Sequence, residues 1–357
     1  MHALLNNRST VRRIAILRAL HLGDLLLAVP AFRSLRAGFP QAEITLISLP
    51  WAESFVRRFH RYLDRFVCFE GFPGISEIAV VPERVAAFLA AQQAYGYDLV
   101  IQLHGNGQTS NPCALALGGT ITAGYFVGEP PQGLTIAVPY PPYLHEIHRN
   151  LGLMRALGCP DCGDNLEFPL SDEDWAEAQT LLAPLAGRPR PWIGLHPGAR
   201  PPARRWPIER FATVANGLRE QFHAQLVITG SSDEMALAQE LASQIRGEPL
   251  VLAGQTSLGG LAAVLASLDL FISNDTGPAH IAVAVKTPSI TLFGPADVRR
   301  WAPLDRQRHP ILHHPVPCSP CAYWECPIDH RCLRAISAEA VLAKAEQLLT
   351  GVQSCAS

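Results

Sequence analysis

One polar turn in the second half of the chain carries groups in an order that suits anion binding. Asp275, Thr276 and Gly277 follow an apolar run of strand type, and Pro278 comes next, as it often does in the first turn of a helix. A strand, a tight turn and a helix start place unpaired backbone N–H groups at the carboxyl edge of a sheet, where phosphates bind. Thr276 and His280 add side-chain donors, and Asp275 can accept from sugar hydroxyls. The alternative is an ordinary capped helix between two strands, with Asp275 as the cap.

Two further stretches repeat the arrangement of an apolar strand followed by a glycine turn. Trp192–Pro207 runs into a cluster of arginines that includes Arg204, and Arg13–Pro30 reaches Gly23 and Asp24 before an apolar helix. Taken singly, the arginines fit a solvated basic turn, and Asp24 fits a helix N-cap.

Four cysteines near the carboxyl end have the spacing C-x2-C-x4-C-x5-C. They are Cys318, Cys321, Cys326 and Cys332. Four thiols so close together, without an evident export signal, indicate a tetrahedral metal site. Zinc is the commonest occupant and iron also accepts four thiolates, whereas the alternative is four reduced cysteines in a proline-rich loop. We expect a structural metal, because four thiolates complete the coordination sphere.

Strand and helix patterns alternate through both halves of the chain, which predicts doubly wound α/β domains. The helix expected from Leu25 to Ala37 contains Pro30 and should kink there. The strands expected are Arg13–Leu17, Glu43–Ser48, Phe66–Phe69 and Asp98–Leu103 in the first half, and Trp192–His196, Gln225–Thr229, Leu250–Leu252, Leu270–Ser273 and Ser289–Phe293 in the second.

We expect two domains, because one hydrophobic core rarely supports a chain of 357 residues. The proline- and glycine-rich stretch Val127–Pro142 reads as a loop. Ser171 starts a helix as its cap, with Asp174 as the capping-box partner. We place an amino-terminal domain at residues 1–170 and a carboxy-terminal domain at 190–336. A final helix occupies part of 337–357.

Composition narrows the class of protein. A net charge of -2 argues against nucleic acid as a general partner, since nucleic-acid-binding proteins normally carry a basic excess. The first dozen residues lack an apolar signal-peptide core, and no apolar run reaches membrane-spanning length. We therefore expect a cytoplasmic protein.

Together, the three strand–turn segments resemble glycosyltransferase family 9, the ADP-heptose:lipopolysaccharide heptosyltransferases. Tyr97–Ser110 and His145–Gly158 also resemble family segments. The resemblance implies the GT-B fold, two Rossmann-like domains facing one another across a cleft, with the final helix crossing back to the first domain. It further implies inverting transfer of heptose from ADP-heptose to a lipopolysaccharide inner-core sugar, and with that membrane-bound acceptor a peripheral location on the inner face of the inner membrane.

The resemblance also implies roles for individual residues. Gly23-Asp24 matches the pair whose aspartate is the catalytic base, and Arg204 replaces the family's lysine that neutralises the leaving diphosphate. Asp275, Thr276, Gly277 and His280 match the Asp-Thr-Gly-x-x-His motif that holds the donor. The loop Gly230–Glu234 is expected to bind base and ribose, with Asp233 or Glu234 gripping ribose hydroxyls. We find no Asp-x-Asp cluster in a suitable loop, so transfer should not require a divalent ion or another cofactor.

The acceptor is expected on the first domain. Arg57, Arg58, Arg61 and Arg65 lie with aromatic residues in one helix-like segment, a basic face that could meet an anionic core at the bilayer surface, although a solvated helix face is the more common reading. His104, Asn106 and Ser110 end a strand at the cleft and are candidate acceptor contacts.

Three alternatives to lipopolysaccharide heptosyl transfer stay open. A sugar-nucleotide 2-epimerase also has two facing α/β domains, but it would form product without an acceptor. Some heptosyltransferases that act on proteins resemble this chain in carrying a metal on a cysteine cluster. A non-catalytic nucleotide-sugar binder would keep donor binding and be indifferent to Asp24.

Overall fold

The computed structural model describes residues 10–353, and the chain divides after Leu166 into two compact units. Among its described residues, the amino-terminal unit contains six strands and six helices. The strands are β1 (Arg13–Leu17), β2 (Glu43–Ser48), β3 (Arg65–Cys68), β4 (Leu99–Gln102), β5 (Ile121–Phe126) and β6 (Ile136–Pro139). The helices are α1 (Leu22–Leu26), α2 (Val29–Gly38), α3 (Ala52–Arg58), α4 (Pro82–Tyr95), α5 (Ser110–Ala116) and α6 (Glu146–Ala156).

The carboxy-terminal unit repeats the alternation. Its strands are β7 (Trp192–His196), β8 (Gln225–Ile228), β9 (Leu250–Val251), β10 (Leu270–Asn274), β11 (Ser289–Phe293) and β12 (Ile311–His313). Its helices are α7 (Asp172–Leu182), α8 (Ile208–Phe222), α9 (Met235–Gln244), α10 (Leu258–Ala266), α11 (Gly277–Ala284), α12 (Val298–Trp301), α13 (Arg331–Arg334) and α14 (Ala338–Gln353). Short 3₁₀ turns occupy Ala183–Leu185, Pro202–Arg204 and Ser232–Glu234.

Both sheets are parallel and have the same strand order. The amino-terminal sheet runs β3-β2-β1-β4-β5-β6, and the carboxy-terminal sheet runs β12-β11-β10-β7-β8-β9. Strands such as β4 and β10 are buried along their whole length and apolar except at their carboxyl ends, as expected of strands covered on both faces. The expected pair of doubly wound α/β folds is confirmed.

The strand order defines where a ligand can bind in each unit. Order reverses between β1 and β4 in the first sheet and between β7 and β10 in the second. Adjacent connections leave in opposite directions there, which opens a crevice at the carboxyl ends of the strands. Asp24 and His104 follow β1 and β4 in one unit, and Arg204 and Asp275 follow β7 and β10 in the other.

Several local expectations need correction. The stretch taken as a loop between Val127 and Pro142 contains β6, which pairs with β5 at the sheet edge, where a proline such as Pro139 is tolerated. The helix expected from Leu25 to Ala37 is two helices, α1 and α2, and Pro30 lies in the first turn of α2.

The basic segment near Trp51 is also not one helix. α3 ends at Arg58, a turn contains Arg61, and Arg65 opens β3. The N–H groups of Tyr62 and Leu63 both donate to the carbonyl of Phe59, and that of Asp64 donates to Ile44 of β2, so the chain turns there and joins the sheet.

The ends of the carboxy-terminal unit are tied to its core. α7, which has the predicted capping box of Ser171 and Asp174, packs on α10. α14 packs on α8 through Val341 and Ala345. The domain limits at 170 and 190, and the crossing of the last helix to the first domain, stay predictions.

Between residues 10 and 353, no helix is long and apolar enough to cross a bilayer. Residues 1–9, on which the expectation of no signal peptide partly depends, lie outside the described residues.

Candidate active site

The carboxyl edge of the second sheet contains an open cavity of about 820 Å³. Its walls come from the loops after β7, β8, β9 and β10, together with one residue of the cysteine-rich segment. They are His196, Arg200, Arg205, Gly230–Glu234, Gly254, Thr256–Leu258, Leu261, Thr276, Pro278 and Trp324. Cationic, hydroxyl and apolar groups thus converge at the point where strand order reverses, as a phosphorylated and partly apolar ligand requires.

Asn274, the last residue of β10, fixes the loop after β7. Its side-chain oxygen accepts from the backbone N–H of Trp206 at 3.0 Å, and its amide donates to the carbonyls of Pro197 at 2.8 Å and Gly198 at 3.2 Å. Asn274 is fully buried, so these bonds are shielded from water and hold both ends of the loop. The arginine-bearing loop is therefore a rigid part of the site.

Arg204 and Asp275, two of the predicted donor residues, form an ion pair. Nη1 of Arg204 lies 3.2 Å from Oδ2 of Asp275, whose side chain is 6% exposed, whereas that of Arg204 is 37% exposed. The guanidinium can contact a ligand while it compensates the buried carboxylate. Arg204 itself is not among the cavity-lining residues, but its neighbours Arg200 and Arg205 are.

The predicted anion turn has the expected backbone. Thr276 is the N-cap of α11 in an extended conformation, its side chain makes no capping hydrogen bond, and it lines the cavity. Gly277 is the first residue of α11 and Pro278 follows it, so helix N–H groups begin at the cavity wall. His280 is buried on α11 and is not among the residues that line the cavity.

Glu234 lines the cavity, but its carboxylate is already engaged. It accepts from the backbone N–H of Ser231 at 2.8 Å in a capping box, and Oε2 lies 3.8 Å from Nε2 of His196. Burial lowers the pKa of His196, and the nearby Glu234 opposes this shift. His196 also pairs through Nδ1 with the hydroxyl of Thr229 at 3.0 Å. A β-carbon at Gly198 would lie 2.1 Å from Glu234 Oε1, so this loop is shaped around the carboxylate.

In the amino-terminal unit, Asp24 lies in the first turn of α1, and His21 rather than Asp24 is the N-cap. The buried Arg18 fixes this turn. Its Nε and Nη2 donate to the backbone carbonyl of Asp24 at 3.0 and 2.8 Å, and its Nη1 donates to the carbonyl of Leu103. Arg18 therefore links the turn after β1 to the end of β4, on either side of the reversal in strand order.

Arg18 belongs to a buried charge network with α6. Oε1 of Glu146 lies 3.3 Å from Nη2 of Arg18, and Oε2 of Glu146 accepts from Nη1 of Arg149. Asn150 donates to the carbonyl of Leu27 at 3.0 Å, which ties α6 to the end of the Asp24 turn. All four side chains are nearly inaccessible, so the one carboxylate of Glu146 faces two buried guanidinium groups, whose other N–H groups donate to backbone carbonyls.

His104 and Asn106 follow β4, as predicted. His104 is buried, and its Nε2 lies 3.6 Å from Oε1 of Glu77, while its Nδ1 has no hydrogen-bond partner. The hydrogen bond to His104 is the main reason that the pKa of Glu77 is lowered. Asn106 donates to and accepts from Gln108. Nδ1 of His104 is thus a buried nitrogen without a hydrogen-bond partner among the described residues.

Arg57 and Arg61 are exposed. Arg57 pairs with Glu53 one helical turn earlier at 3.1 Å, and both side chains are more than half exposed. Such a pair contributes little to stability. The acceptor-binding roles of Arg57 and Arg61 stay predictions.

The metal centre predicted on four cysteines is not found. Among residues 10–353 there is no group of three or more His, Cys, Asp and Glu side chains that could hold a metal ion. Local backbone contacts direct the segment instead: the N–H of Cys321 donates to the carbonyl of Pro295 at 2.9 Å, and Sγ of Cys326 accepts from the N–H of His330 at 3.3 Å. Cys332 is buried within α13, and burial raises the pKa of its thiol.

Three site residues escaped sequence reasoning. His196 ends β7, and its place at the end of an apolar strand was an available signal. Glu77 and Trp324 come from irregular segments far from the residues they join, and no local pattern marks them.

The chain is similar to known glycosyltransferases along most of its length. The profile of glycosyltransferase family 9 (heptosyltransferase) matches residues 86–331. Lipopolysaccharide heptosyltransferase 3 of Escherichia coli K12 is 25% identical over 354 residues, which cover 92% of this chain and 95% of that protein.

Solved structures show the same likeness. A glycosyl transferase family 9 protein from Veillonella parvula has a TM-score of 0.78 and 25% identity, covering 95% of this chain and 98% of its own. The Escherichia coli heptosyltransferase WaaC, solved with ADP-2-deoxy-2-fluoro heptose, has a TM-score of 0.65 and 21% identity. The match covers 94% of this chain and 99% of that chain, and it supports the fold.

Proposed function

Because the chain belongs to glycosyltransferase family 9, we propose that it transfers heptose from ADP-heptose to an inner-core sugar of lipopolysaccharide. The observation that carries this proposal is the 820 Å³ cavity at the strand-order reversal of the second sheet, lined by arginines and by the N-terminal turn of α11. A nucleoside diphosphate sugar has the charge and the size that such a cavity accommodates.

The diphosphate is assigned to the side of the cavity that holds Thr276, Arg200 and Arg205. Two guanidinium groups, the hydroxyl of Thr276 and the positive end of the α11 dipole attract an anion there, whereas Pro278 has no N–H and that of Ala279 donates to Thr276. Arg204 reaches the same anion from its ion pair with Asp275. These cations stabilise the negative charge that develops on the leaving ADP, so a divalent ion is not needed for that task.

The nucleoside is assigned to the opposite side, formed by the loops after β8 and β9. Gly230–Glu234 and Thr256–Leu258 offer hydroxyl and carboxylate groups beside apolar surface from Leu258 and Leu261. Glu234 is held by its capping box and His196, so Asp233 and the serine hydroxyls are the better partners for ribose.

Asp24 is the proposed general base. Its carboxylate accepts the proton of the acceptor hydroxyl while that oxygen attacks the anomeric carbon of heptose. The bond from that carbon to the diphosphate breaks, ADP leaves with the electron pair, and attack from the opposite face inverts the configuration. Arg18 holds the carbonyl of Asp24 and so limits the positions that the carboxylate can reach.

The acceptor is proposed to be the anionic lipopolysaccharide core at the cytoplasmic face of the inner membrane. Exposed Arg57 and Arg61 offer positive charge to phosphorylated sugars. His104 and Asn106, which follow β4 at the carboxyl edge of the first sheet, are proposed contacts to acceptor hydroxyls.

A structural zinc or iron ion on Cys318, Cys321, Cys326 and Cys332 belongs to the same proposal. All four thiols are free of disulfides and occur within fifteen residues of sequence, although the described side chains are not arranged as a ligand set. Elemental analysis of purified protein tests it, and a metal content below one atom per ten chains would remove the ion from the proposal.

Binding and transfer are tested separately. Thermal shift with ADP, GDP and UDP sugars should show stabilisation by the ADP sugar, because a ligand that binds the native state raises the melting temperature. Asp24→Asn should bind ADP-heptose like the wild type and transfer roughly 10²–10⁴-fold more slowly. Wild-type turnover in that variant would remove Asp24 as the base, and product formed without any acceptor would favour a 2-epimerase.

A further inference from the structure

Trp324 lies in the cysteine-rich segment, is 56% exposed and lines the cavity of the carboxy-terminal unit. An exposed indole leaves a large apolar surface in water, and burying it against a ligand is favourable. Tyr323, its neighbour, is exposed to the same degree but is not among the cavity-lining residues. Position rather than exposure therefore distinguishes Trp324.

Backbone contacts hold Trp324 at the edge of the cavity. Its carbonyl accepts from the N–H of Ala203 at 3.1 Å, which joins it to the arginine-bearing loop after β7. Earlier in the same segment, the hydroxyl of Ser319 donates to Gly294 and the N–H of Cys321 donates to Pro295, directly after β11. The segment is thus attached at both sides to the carboxyl edge of the sheet.

The indole also contacts a cation that faces the same cavity. The guanidinium carbon of Arg200 lies 6.0 Å from the centre of the Trp324 ring, at the outer limit of a cation–π contact. Ala203 and Arg200 both belong to the loop that we assign to the diphosphate. The loops assigned to the nucleoside, after β8 and β9, form other walls of the cavity.

We propose that Trp324 packs against the sugar of the bound nucleotide sugar and forms the sugar end of the donor site. This inference rests on the proposed function. The sugar is attached to the distal phosphate, so it lies beyond the arginines on the side away from the nucleoside. Aromatic rings pack on the C–H faces of sugars and add little when only the nucleotide is bound.

The test compares ADP-heptose with ADP on three variants by isothermal titration calorimetry. Trp324→Ala should lower affinity for ADP-heptose about tenfold, as expected for loss of one aromatic packing contact, and lower ADP affinity less than threefold. Trp324→Phe should recover most of the loss. Tyr323→Ala, the matched control, should bind both ligands like the wild type.

Two results overturn the inference. Unchanged ADP-heptose affinity in Trp324→Ala excludes the contact, and equal losses for ADP-heptose and ADP place Trp324 against the nucleotide instead of the sugar. A wild-type protein that binds neither ligand refutes the proposed function and this inference with it. Circular dichroism of each variant establishes that it is folded.

Discussion

Replacing Arg18 by Met should destabilise the amino-terminal unit and slow transfer without changing the KM for the donor. Arg18 is 1% exposed and donates to two backbone carbonyls, to Asn150 at 3.3 Å and to Glu146 at 3.3 Å. Met fills similar volume but has no donor. Removing one partner from a buried ion pair costs about 3–5 kcal/mol, because the remaining charge stays in a dry environment.

Arg149 limits that cost without abolishing it. It still pairs with Oε2 of Glu146, whereas Oε1 and the carbonyls of Asp24 and Leu103 lose their donor. We therefore expect a loss of about 3 kcal/mol in the free energy of unfolding, a large part of the about 5–15 kcal/mol that a domain has. Urea unfolding followed by circular dichroism measures it.

The Arg18→Met variant also tests whether Arg18 positions Asp24 in addition to stabilising the fold. Below the unfolding transition, a base displaced by about 1 Å costs roughly 10²-fold in rate, so kcat should fall by that order while KM for ADP-heptose stays unchanged. Arg18→Lys, which keeps the charge but loses the planar fork, should lie between wild type and Arg18→Met. An unfolding free energy within 1 kcal/mol of wild type, or an unchanged kcat, would refute the reasoning.

Two further predictions concern the carboxy-terminal unit. Arg204→Ala removes the guanidinium that lies 3.2 Å from the buried carboxylate of Asp275. It should weaken ADP-heptose binding by about 2 kcal/mol, roughly thirtyfold, in calorimetry. Arg204→Lys should retain most of the affinity. Burial lowers the pKa of His309 to about 4, and its Nδ1 lies 2.9 Å from the hydroxyl of Ser289. The unfolded chain binds the proton of His309 more readily than the folded chain does. The free energy of unfolding should therefore fall by about 3 kcal/mol as the pH is lowered from 6.5 to 4. His309→Gln should flatten this pH dependence in urea titrations.

Much of the architecture could be predicted because buried parallel strands are short, continuous apolar runs. The limits of β1, β2, β7 and β11 agree with the expected strands, and turn residues bound each of them. β6 could not be predicted in this way, because edge position, not composition, makes Ile136–Pro139 a strand. The hydrogen-bond partners of β6 come from β5, and the local sequence pattern does not show that these two segments are neighbours.

The candidate site was predictable where one loop carries its own signal. Asp275, Thr276 and Gly277 lie together in sequence and also begin the helix at the cavity. Glu77 and Trp324 are placed by tertiary contacts within their own units, with His104 and with Ala203 respectively. The charged groups of a catalytic site are commonly of this second kind, because loops from several strands meet at one sheet edge.

The two units have the same strand order but stabilise their critical loops by different means. In the first unit, the buried charges of Arg18 and Glu146 hold the Asp24 turn. Substitution of either residue therefore disturbs the whole buried charge network. In the second unit the neutral amide of Asn274 fixes the corresponding loop, which leaves the nearby guanidinium groups available to bind an anion. Variants in the first network should therefore change kcat, and variants around the cavity should change donor affinity. A substitution at Arg18 that altered only donor affinity would contradict this division.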